Sequence, residues 1–155
     1  PSGFMGDRDA IQLAETWSSG CHGGSRCIRV DYSGASSQGF GWAGIYWQDP
    51  TNNWGAVPGH TGYNLSRMHT LSFWARGHVG GEQVTFEMGG ITGTNADSVG
   101  SPIARTVTLT STWQQYTLDL TGHDLHHIIG GYALTLARTT NTTGATLYLD
   151  DITYT

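Results

Sequence analysis

The chain has little charge, no lysine and only two cysteines. Of its 155 residues only 12% are charged, every basic residue is an arginine, and the net charge is −5. Because these arginines are scattered, they form no basic stripe that could neutralise phosphates, and nucleic acid is not an expected partner. No apolar run reaches the roughly 18 residues of a membrane-spanning helix, so a membrane partner is not expected either.

The two cysteines, Cys21 and Cys27, are separated by a glycine-containing spacer that lets the chain fold back on itself. This spacing favours a disulfide bond, which indicates an oxidising compartment and therefore a secreted protein. Two free thiols are the alternative, and a zinc site is less favoured because only His22 is close enough to add a ligand. The start at Pro1-Ser2-Gly3, without a Met or a signal-peptide pattern, suggests a segment excised from a longer precursor.

The composition and periodicity predict an all-β fold. Twenty-three glycines and many serines and threonines suit short strands joined by tight turns. Period-2 alternation between turn signals predicts strands over Ala10–Ala14, Arg26–Tyr32, Gly39–Gln48, His69–Arg76, Gln83–Gly89, Ile103–Leu109, Gln114–Leu120, Gly131–Ala137 and Thr146–Tyr154. Strands at this spacing without intervening helices predict a single domain over residues 1–155, built as a two-sheet antiparallel β-sandwich of the jelly-roll type. His123–Ile129 is the one helix-like stretch, and we expect a turn or a single helical turn there.

Alternation in two neighbouring segments predicts which side chains face outward. Leu71–Arg76 and Val84–Met88 are interpreted as the two strands of a hairpin. Leu71, Phe73 and Ala75 form the inward set of the first strand, and Val84, Phe86 and Met88 that of the second. Trp74 then points outward, beside Arg76 and Glu87.

The segment Trp42–Gly55 is unusually rich in aromatic residues, and the alternation allows two orientations for it. One register buries Ala43, Ile45 and Trp47 and exposes Trp42, Gly44 and Tyr46, with the glycine between the two rings as the floor of a groove. The other register buries both rings. We prefer the first register because it places small and branched residues in the core.

Trp54 lies in a loop between strands, beside Asn53, where an indole contacts a ligand unless the loop folds over the edge of the sandwich. Exposed aromatic rings flanked by amides, arginine and carboxylates suit sugars. The C–H faces of a pyranose stack on an indole, and polar side chains bond its hydroxyls. A neutral polysaccharide is therefore the expected ligand class.

Three motifs together resemble a known group of proteins. Leu71–Gly77, Trp113–Leu120 and Leu147–Ile152 resemble, in order and spacing, the β-sandwich carbohydrate-binding modules of families 4, 11, 22 and 30. The resemblance implies a secreted, monomeric, non-catalytic module covalently linked to a glycoside hydrolase. It also implies a β-glucan ligand, such as cellulose chains, mixed-linkage glucan or xyloglucan, bound in a cleft on one sheet.

The resemblance further implies two sets of site residues. The binding cleft would comprise Trp42, Tyr46, Trp74, Arg76 and Glu87, with Asn53 and Trp54 at its rim. A structural calcium ion would be held by Asp7 or Asp9, by the turn around Gly24 and by Asp150. Calcium takes six to eight oxygen ligands of these kinds, although the same aspartates could simply be solvated turn residues.

No arrangement of residues predicts catalysis. The glutamates form no pair of carboxylates facing each other on one strand, as a glycosidase requires. His123, His126 and His127 lack a recognisable acidic partner, so a catalytic metal is not favoured. We therefore expect a polysaccharide-binding module rather than an enzyme; a jelly-roll hydrolase or lyase and a structural adhesion sandwich are the alternatives.

Overall fold

The computed structural model describes residues 2–59 and 61–155. Within these residues the chain forms ten β-strands and a short 3₁₀ turn at Arg8–Ala10. The strands are β1 (Gly3–Gly6), β2 (Ile11–Trp17), β3 (Cys27–Tyr32), β4 (Trp42–Gln48), β5 (Thr70–Gly77), β6 (Gln83–Met88), β7 (Ile103–Thr108), β8 (Gln114–Asp119), β9 (Gly130–Ala137) and β10 (Ala145–Tyr154). No helix in this part of the chain has the length and apolar character needed to cross a membrane.

The strands form two antiparallel sheets of five strands each. Sheet A has the order β1-β4-β9-β6-β7, and sheet B has the order β2-β3-β10-β5-β8. The two sheets pack face to face, because alternating apolar residues of both turn toward a shared core. The predicted all-β, two-sheet antiparallel sandwich of the jelly-roll type is confirmed.

The core follows the alternation seen in the sequence. Leu71, Phe73 and Ala75 of β5 and Val84, Phe86 and Met88 of β6 are all fully buried. The rings of Phe73 and Phe86 meet across the two sheets with their centroids 4.6 Å apart. Burying a side chain of this size contributes about 1.5–3 kcal/mol, so these layers hold the two sheets together.

The predicted hairpin between β5 and β6 is wrong. β5 pairs with β8 and β10 in sheet B, whereas β6 pairs with β7 and β9 in sheet A. The connection between them crosses from one sheet to the other, with Gly80 and Gly81 at positive φ. Both strands have their predicted inward residues, but their outward residues lie on opposite sides of the molecule.

Nine of the ten observed strands match the predicted segments, with shifts at their ends. The missing strand is β1, Gly3-Phe4-Met5-Gly6, which is short and has no β-branched residue to mark it. The helix-like stretch His123–Ile129 forms neither a helical turn nor a regular turn; it contains bends and an isolated β-bridge between Ile128 and Tyr63.

Candidate functional site

Two of the three aromatic residues of β4, Trp42 and Tyr46, lie on the outer face of sheet A. Ala43 and Ile45 are fully buried in the core between the sheets, whereas Trp42 and Tyr46 lie on the outer side of the strand. The preferred register of this segment is therefore correct. With a rise of about 3.3 Å per residue, the two outward rings are anchored roughly 13 Å apart along the strand.

Tyr46 is buried on this face rather than exposed. It packs with Ile91, Ile129 and Ala133, is only 5% exposed, and its hydroxyl donates a hydrogen bond of 2.9 Å to the carbonyl of Gly89. Burial raises the pKa of Tyr46, and nearby carboxylates raise it further, so the phenol stays neutral. Tyr46 therefore serves as a platform for other residues.

Trp54 packs against the ring of Tyr46. Its ring meets Tyr46 edge to face, with the centroids 6.0 Å apart, and 43% of the residue is exposed. Trp54 and Tyr46 line a shallow depression of about 280 Å³ together with Met5 and Ile91. The loop tryptophan is thus held in place against the sheet and still offers a surface to a ligand.

Asn53 has a structural role instead of the predicted place in the rim. The residue is completely buried, its amide nitrogen donates to the carbonyl of Asp49, and its amide oxygen accepts from the backbone N–H of Gly55. A Cβ at Gly55 would lie 2.0 Å from the carbonyl oxygen of Thr92, so only glycine allows the two loops to approach so closely. These contacts fix the orientation of Trp54.

A second aromatic pair lies at the other end of β4. Phe40 is 62% exposed and contacts Trp42 edge to face, with the ring centroids 6.3 Å apart. Trp42 lines a depression of about 320 Å³ with Gln83, Thr85 and Thr135. Phe40 was not predicted as a site residue; it falls within the predicted strand Gly39–Gln48, whereas in the structure β4 begins at Trp42 and Phe40 belongs to the loop before it.

Asp7 holds the loop that carries Phe40. Its buried carboxylate accepts hydrogen bonds from the backbone N–H groups of Gln38 (2.8 Å), Phe40 (3.0 Å) and Gly41 (2.6 Å). Burial by itself would raise the pKa of Asp7, but these backbone hydrogen bonds outweigh it and lower the pKa below its usual value. The charged carboxylate is therefore the form that organises the loop.

Small and polar residues form the floor between the two aromatic pairs. Thr85 and Thr106 face outward on neighbouring strands, and their hydroxyl oxygens are 2.7 Å apart. Glu87 lies on the same face, half-buried, and burial raises the pKa of its carboxyl group. Gly44 does not form the expected groove floor, since Met5 and Thr135 close over it. The floor therefore presents hydroxyl and carboxyl groups that can form hydrogen bonds with a ligand.

Trp74 and Arg76 lie on the outer face of sheet B and do not share a cleft with Glu87. The imidazole of His22 stacks on Trp74 with the ring centroids 3.7 Å apart. The guanidinium carbon of Arg76 lies 3.9 Å from the ring centroid of Tyr148. Both predicted site residues are thus engaged by other parts of the chain, and the prediction that they sit beside Glu87 is wrong because β5 and β6 belong to different sheets.

The segment that covers Trp74 is closed by the predicted disulfide. Cys21 and Cys27 are bonded, with their Cα atoms 5.5 Å apart, which excludes the zinc alternative because neither sulfur is a free thiol. One carboxylate oxygen of Asp150 accepts hydrogen bonds of 3.0 Å from the backbone N–H groups of His22 and Gly23. The bond and the carboxylate together hold this loop against sheet B.

We expect the double variant Cys21→Ser/Cys27→Ser to lose about 2 kcal/mol in free energy of unfolding, the value for a short closed loop. Urea denaturation followed by circular dichroism measures the difference. Ser25→Ala, an exposed change in the same loop, is the matched control and should leave the stability unaltered. A double variant as stable as the parent would contradict the proposed restraint.

The four residues predicted as calcium ligands do not form one site. Asp7 and Asp9 lie beside the end of β3 at Tyr32, whereas Asp150 and the loop containing Gly24 lie beside its beginning. The length of the strand separates the two groups by about 13 Å or more, whereas calcium–oxygen distances are about 2.5 Å. Calcium binding by this chain stays a prediction, but this ligand set does not fit it.

The chain is similar to known proteins in its fold but not in its sequence. No family model and no curated protein sequence matches the chain. Among solved structures, a family 30 carbohydrate-binding module is 18% identical, with a TM-score of 0.62 over 95% of this chain and 74% of its own. A family 11 module from Clostridium thermocellum, in complex with a β-1,3-1,4-mixed-linked tetrasaccharide, is 13% identical, with a TM-score of 0.60 over 99% of this chain and 84% of its own.

A third structure, of a family 61 module in complex with β-1,4-galactotriose, is 14% identical, with a TM-score of 0.55 over 99% of this chain and 86% of its own. The chain therefore has the jelly-roll fold of carbohydrate-binding modules. The predicted resemblance is confirmed at the level of the fold, and families 11 and 30 are among those that the sequence motifs indicated.

Proposed function

We propose that the protein is a non-catalytic carbohydrate-binding module that binds a neutral polysaccharide along the outer face of sheet A. The observation that carries the proposal is the pair of aromatic platforms, Phe40 with Trp42 and Trp54 with Tyr46, at the two ends of a polar floor. Aromatic faces stack on the C–H groups of sugar rings, and threonine hydroxyls bond sugar hydroxyls. Platforms anchored roughly 13 Å apart suit a chain of several sugars better than a single ring.

The charge on the face favours a neutral ligand. Among the outward strand residues that the structure describes on sheet A, Glu87 is the only acid, and its raised pKa reflects the cost of charging it there. None of these described outward residues is an arginine, so a polyanionic sugar would find no cationic partner on this floor. Hydroxyl-rich, uncharged polymers fit these groups best.

The same residues support binding without catalysis. Hydrolysis of a glycosidic bond uses two carboxyl groups roughly 5 to 10 Å apart. Besides Glu87, the carboxylate that raises the pKa of Tyr46 is Asp97, which already accepts hydrogen bonds from the backbone N–H groups of Ile91, Ile129 and Gly130. Asp97 therefore braces loops and is not available as an acid or a base.

We propose a β-glucan as the ligand, and secretion together with a glycoside hydrolase as the setting. The structurally similar family 11 module binds a mixed-linked glucan fragment, which supports the choice, whereas the similar family 61 module binds galactotriose and makes galactan the second candidate. The disulfide supports an oxidising, extracellular environment. A module of this kind would hold its enzyme on an insoluble substrate.

The test is affinity electrophoresis through gels that contain mixed-linkage glucan, xyloglucan, xylan, mannan or galactan, beside a gel without polysaccharide. We expect selective retardation by one of the glucans. Retardation by galactan alone would show that the ligand is galactan and not a β-glucan, and the protein would still be a carbohydrate-binding module. Reducing-sugar release from any polymer would favour the hydrolase alternative, and unretarded migration in every gel would favour an adhesion sandwich.

A further inference from the structure

A further pocket lies away from the face of sheet A, at one end of the sandwich. It has a volume of about 490 Å³ and opens where β4 and β10 end and β9 begins. Its lining residues are Trp47, Gln48, Asp49, Tyr63, Leu65, Ile129, Gly131, Tyr132, Ile152 and Tyr154. The pocket is therefore formed by both sheets and by the loop that follows β4.

Aromatic and aliphatic side chains form most of its walls. Trp47 and Tyr132 contact each other with ring centroids 5.4 Å apart, and Ile152 and Leu65 pack against the same core. Tyr63 stands at the rim with 62% of its surface exposed. Trp47 points to the inner side of β4, so this pocket is distinct from the depressions beside Trp42 and Tyr46.

Two polar side chains that line the pocket each have an atom without a hydrogen-bond partner among the described residues. Among the described residues, neither the hydroxyl of Tyr132 nor the amide nitrogen of Gln48 has a hydrogen-bond partner, although both atoms are buried. The amide oxygen of Gln48 accepts from the hydroxyl of Ser2, and the hydroxyl of Tyr154 donates to the carbonyl of Gly131. Both unpaired atoms belong to side chains that line the pocket, and because an unpaired buried donor is costly, a ligand that reaches either one gains a hydrogen bond.

The geometry points to a second binding site, and we propose that it takes a neutral, single-ring aromatic compound with oxygen substituents, such as a phenol or an aryl ester. A cavity of about 150 Å³ already holds benzene, so the present pocket has room for a substituted ring. Two unpaired donors match one or two oxygen atoms, whereas a pyranose brings a hydroxyl on most ring carbons and would leave many of them unpaired. The carboxylate of Asp49 in the wall disfavours an anion.

Isothermal titration calorimetry of the intact chain with methyl ferulate, a neutral phenolic ester, tests the proposal. Methyl glucoside and cyclohexanol are the matched probes for a sugar ring and for an aliphatic alcohol. We expect saturable binding of methyl ferulate only. Tyr132→Phe removes the unpaired hydroxyl, so it should weaken the binding of methyl ferulate about 3- to 10-fold without lowering the stability of the fold.

Tyr63→Ala provides a second variant that does not endanger folding, because its side chain is mostly exposed at the rim. This variant should bind methyl ferulate more weakly than the parent, by about threefold or more. Trp54→Ala, on the face of sheet A, should leave methyl ferulate binding unchanged, which separates this site from the polysaccharide site. Saturable binding of methyl glucoside, absence of binding by every probe, or affinity unchanged in both tyrosine variants would overturn the proposal.

Discussion

Replacing Trp54 with alanine is expected to weaken polysaccharide binding about tenfold or more while the protein stays folded. Trp54 is 43% exposed and lies in a loop, where its ring packs edge to face on Tyr46, so its removal should cost little stability. Loss of a stacking surface for a sugar ring accounts for the effect, since an aromatic contact is worth up to about 1.5 kcal/mol and about 1.4 kcal/mol corresponds to a factor of ten in affinity. Affinity electrophoresis across a series of polysaccharide concentrations gives the ratio of dissociation constants.

Trp74→Ala is the matched control for this variant, because it removes the same side chain from the opposite sheet. Trp74 is stacked under His22, so its loss should reduce the free energy of unfolding by about 1–3 kcal/mol and leave polysaccharide affinity unchanged. The reverse pattern, with binding lost in Trp74→Ala and kept in Trp54→Ala, would move the binding face to sheet B. Unchanged affinity in both variants would place the site away from either tryptophan.

Asp7→Asn is expected to lower the melting temperature by about 5 °C or more and to weaken polysaccharide binding as well. An amide has only one oxygen, whereas the two carboxylate oxygens of Asp7, which is itself fully buried, accept from three backbone N–H groups. The loop that these bonds hold carries Phe40, so the aromatic platform beside Trp42 should lose its order. Differential scanning calorimetry and affinity electrophoresis measure the two effects.

The same carboxylate gives the expected dependence on pH. Because the pKa of Asp7 is lowered on folding from 3.8, the unfolded chain binds a proton more readily than the folded one. Its contribution is complete at neutral pH and declines as the pH falls below about 4 and through the lowered folded-state pKa. Asp7→Asn should therefore lose less stability between pH 5 and pH 2 than the parent, although Asp119 and Asp124, whose pKa values are also lowered, keep part of the dependence.

Asp9→Asn is the control for the Asp7 variant. Asp9 is exposed and two residues away, so the same change of charge should leave the melting temperature and its acid dependence close to those of the parent. Equal losses in both variants would show that net charge, and not the hydrogen bonds of Asp7, is responsible.

Local patterns predicted the strands and their inward faces well. Alternation identified the buried residues of β5 and β6, and it placed Ala43 and Ile45 correctly in the core. These features depend on neighbours two residues apart, which a sequence displays directly. The disulfide could also be predicted, since a short glycine-containing spacer leaves the two cysteines close together.

The composition of the site could be predicted only in part, because it depends on contacts between distant segments. Trp74 and Glu87 are both outward on their strands, yet no local signal tells whether the intervening loop makes a hairpin or crosses to the other sheet. Tyr46 is outward but buried, because Trp54 and Ile91 from two loops cover it. Asp7 was expected to bind a metal, whereas its actual partners are backbone N–H groups more than thirty residues away.

The central position of β10 in sheet B has a consequence for how the chain folds. β10 lies between β3 and β5 and pairs with both, so sheet B without it consists of two separate strand pairs. Because β10 comprises residues Ala145–Tyr154, sheet B cannot be completed during translation until nearly all of the described chain has left the ribosome. Completion of sheet B therefore requires pairing between segments that are more than a hundred residues apart in sequence, and contacts of such long sequence separation favour slow folding.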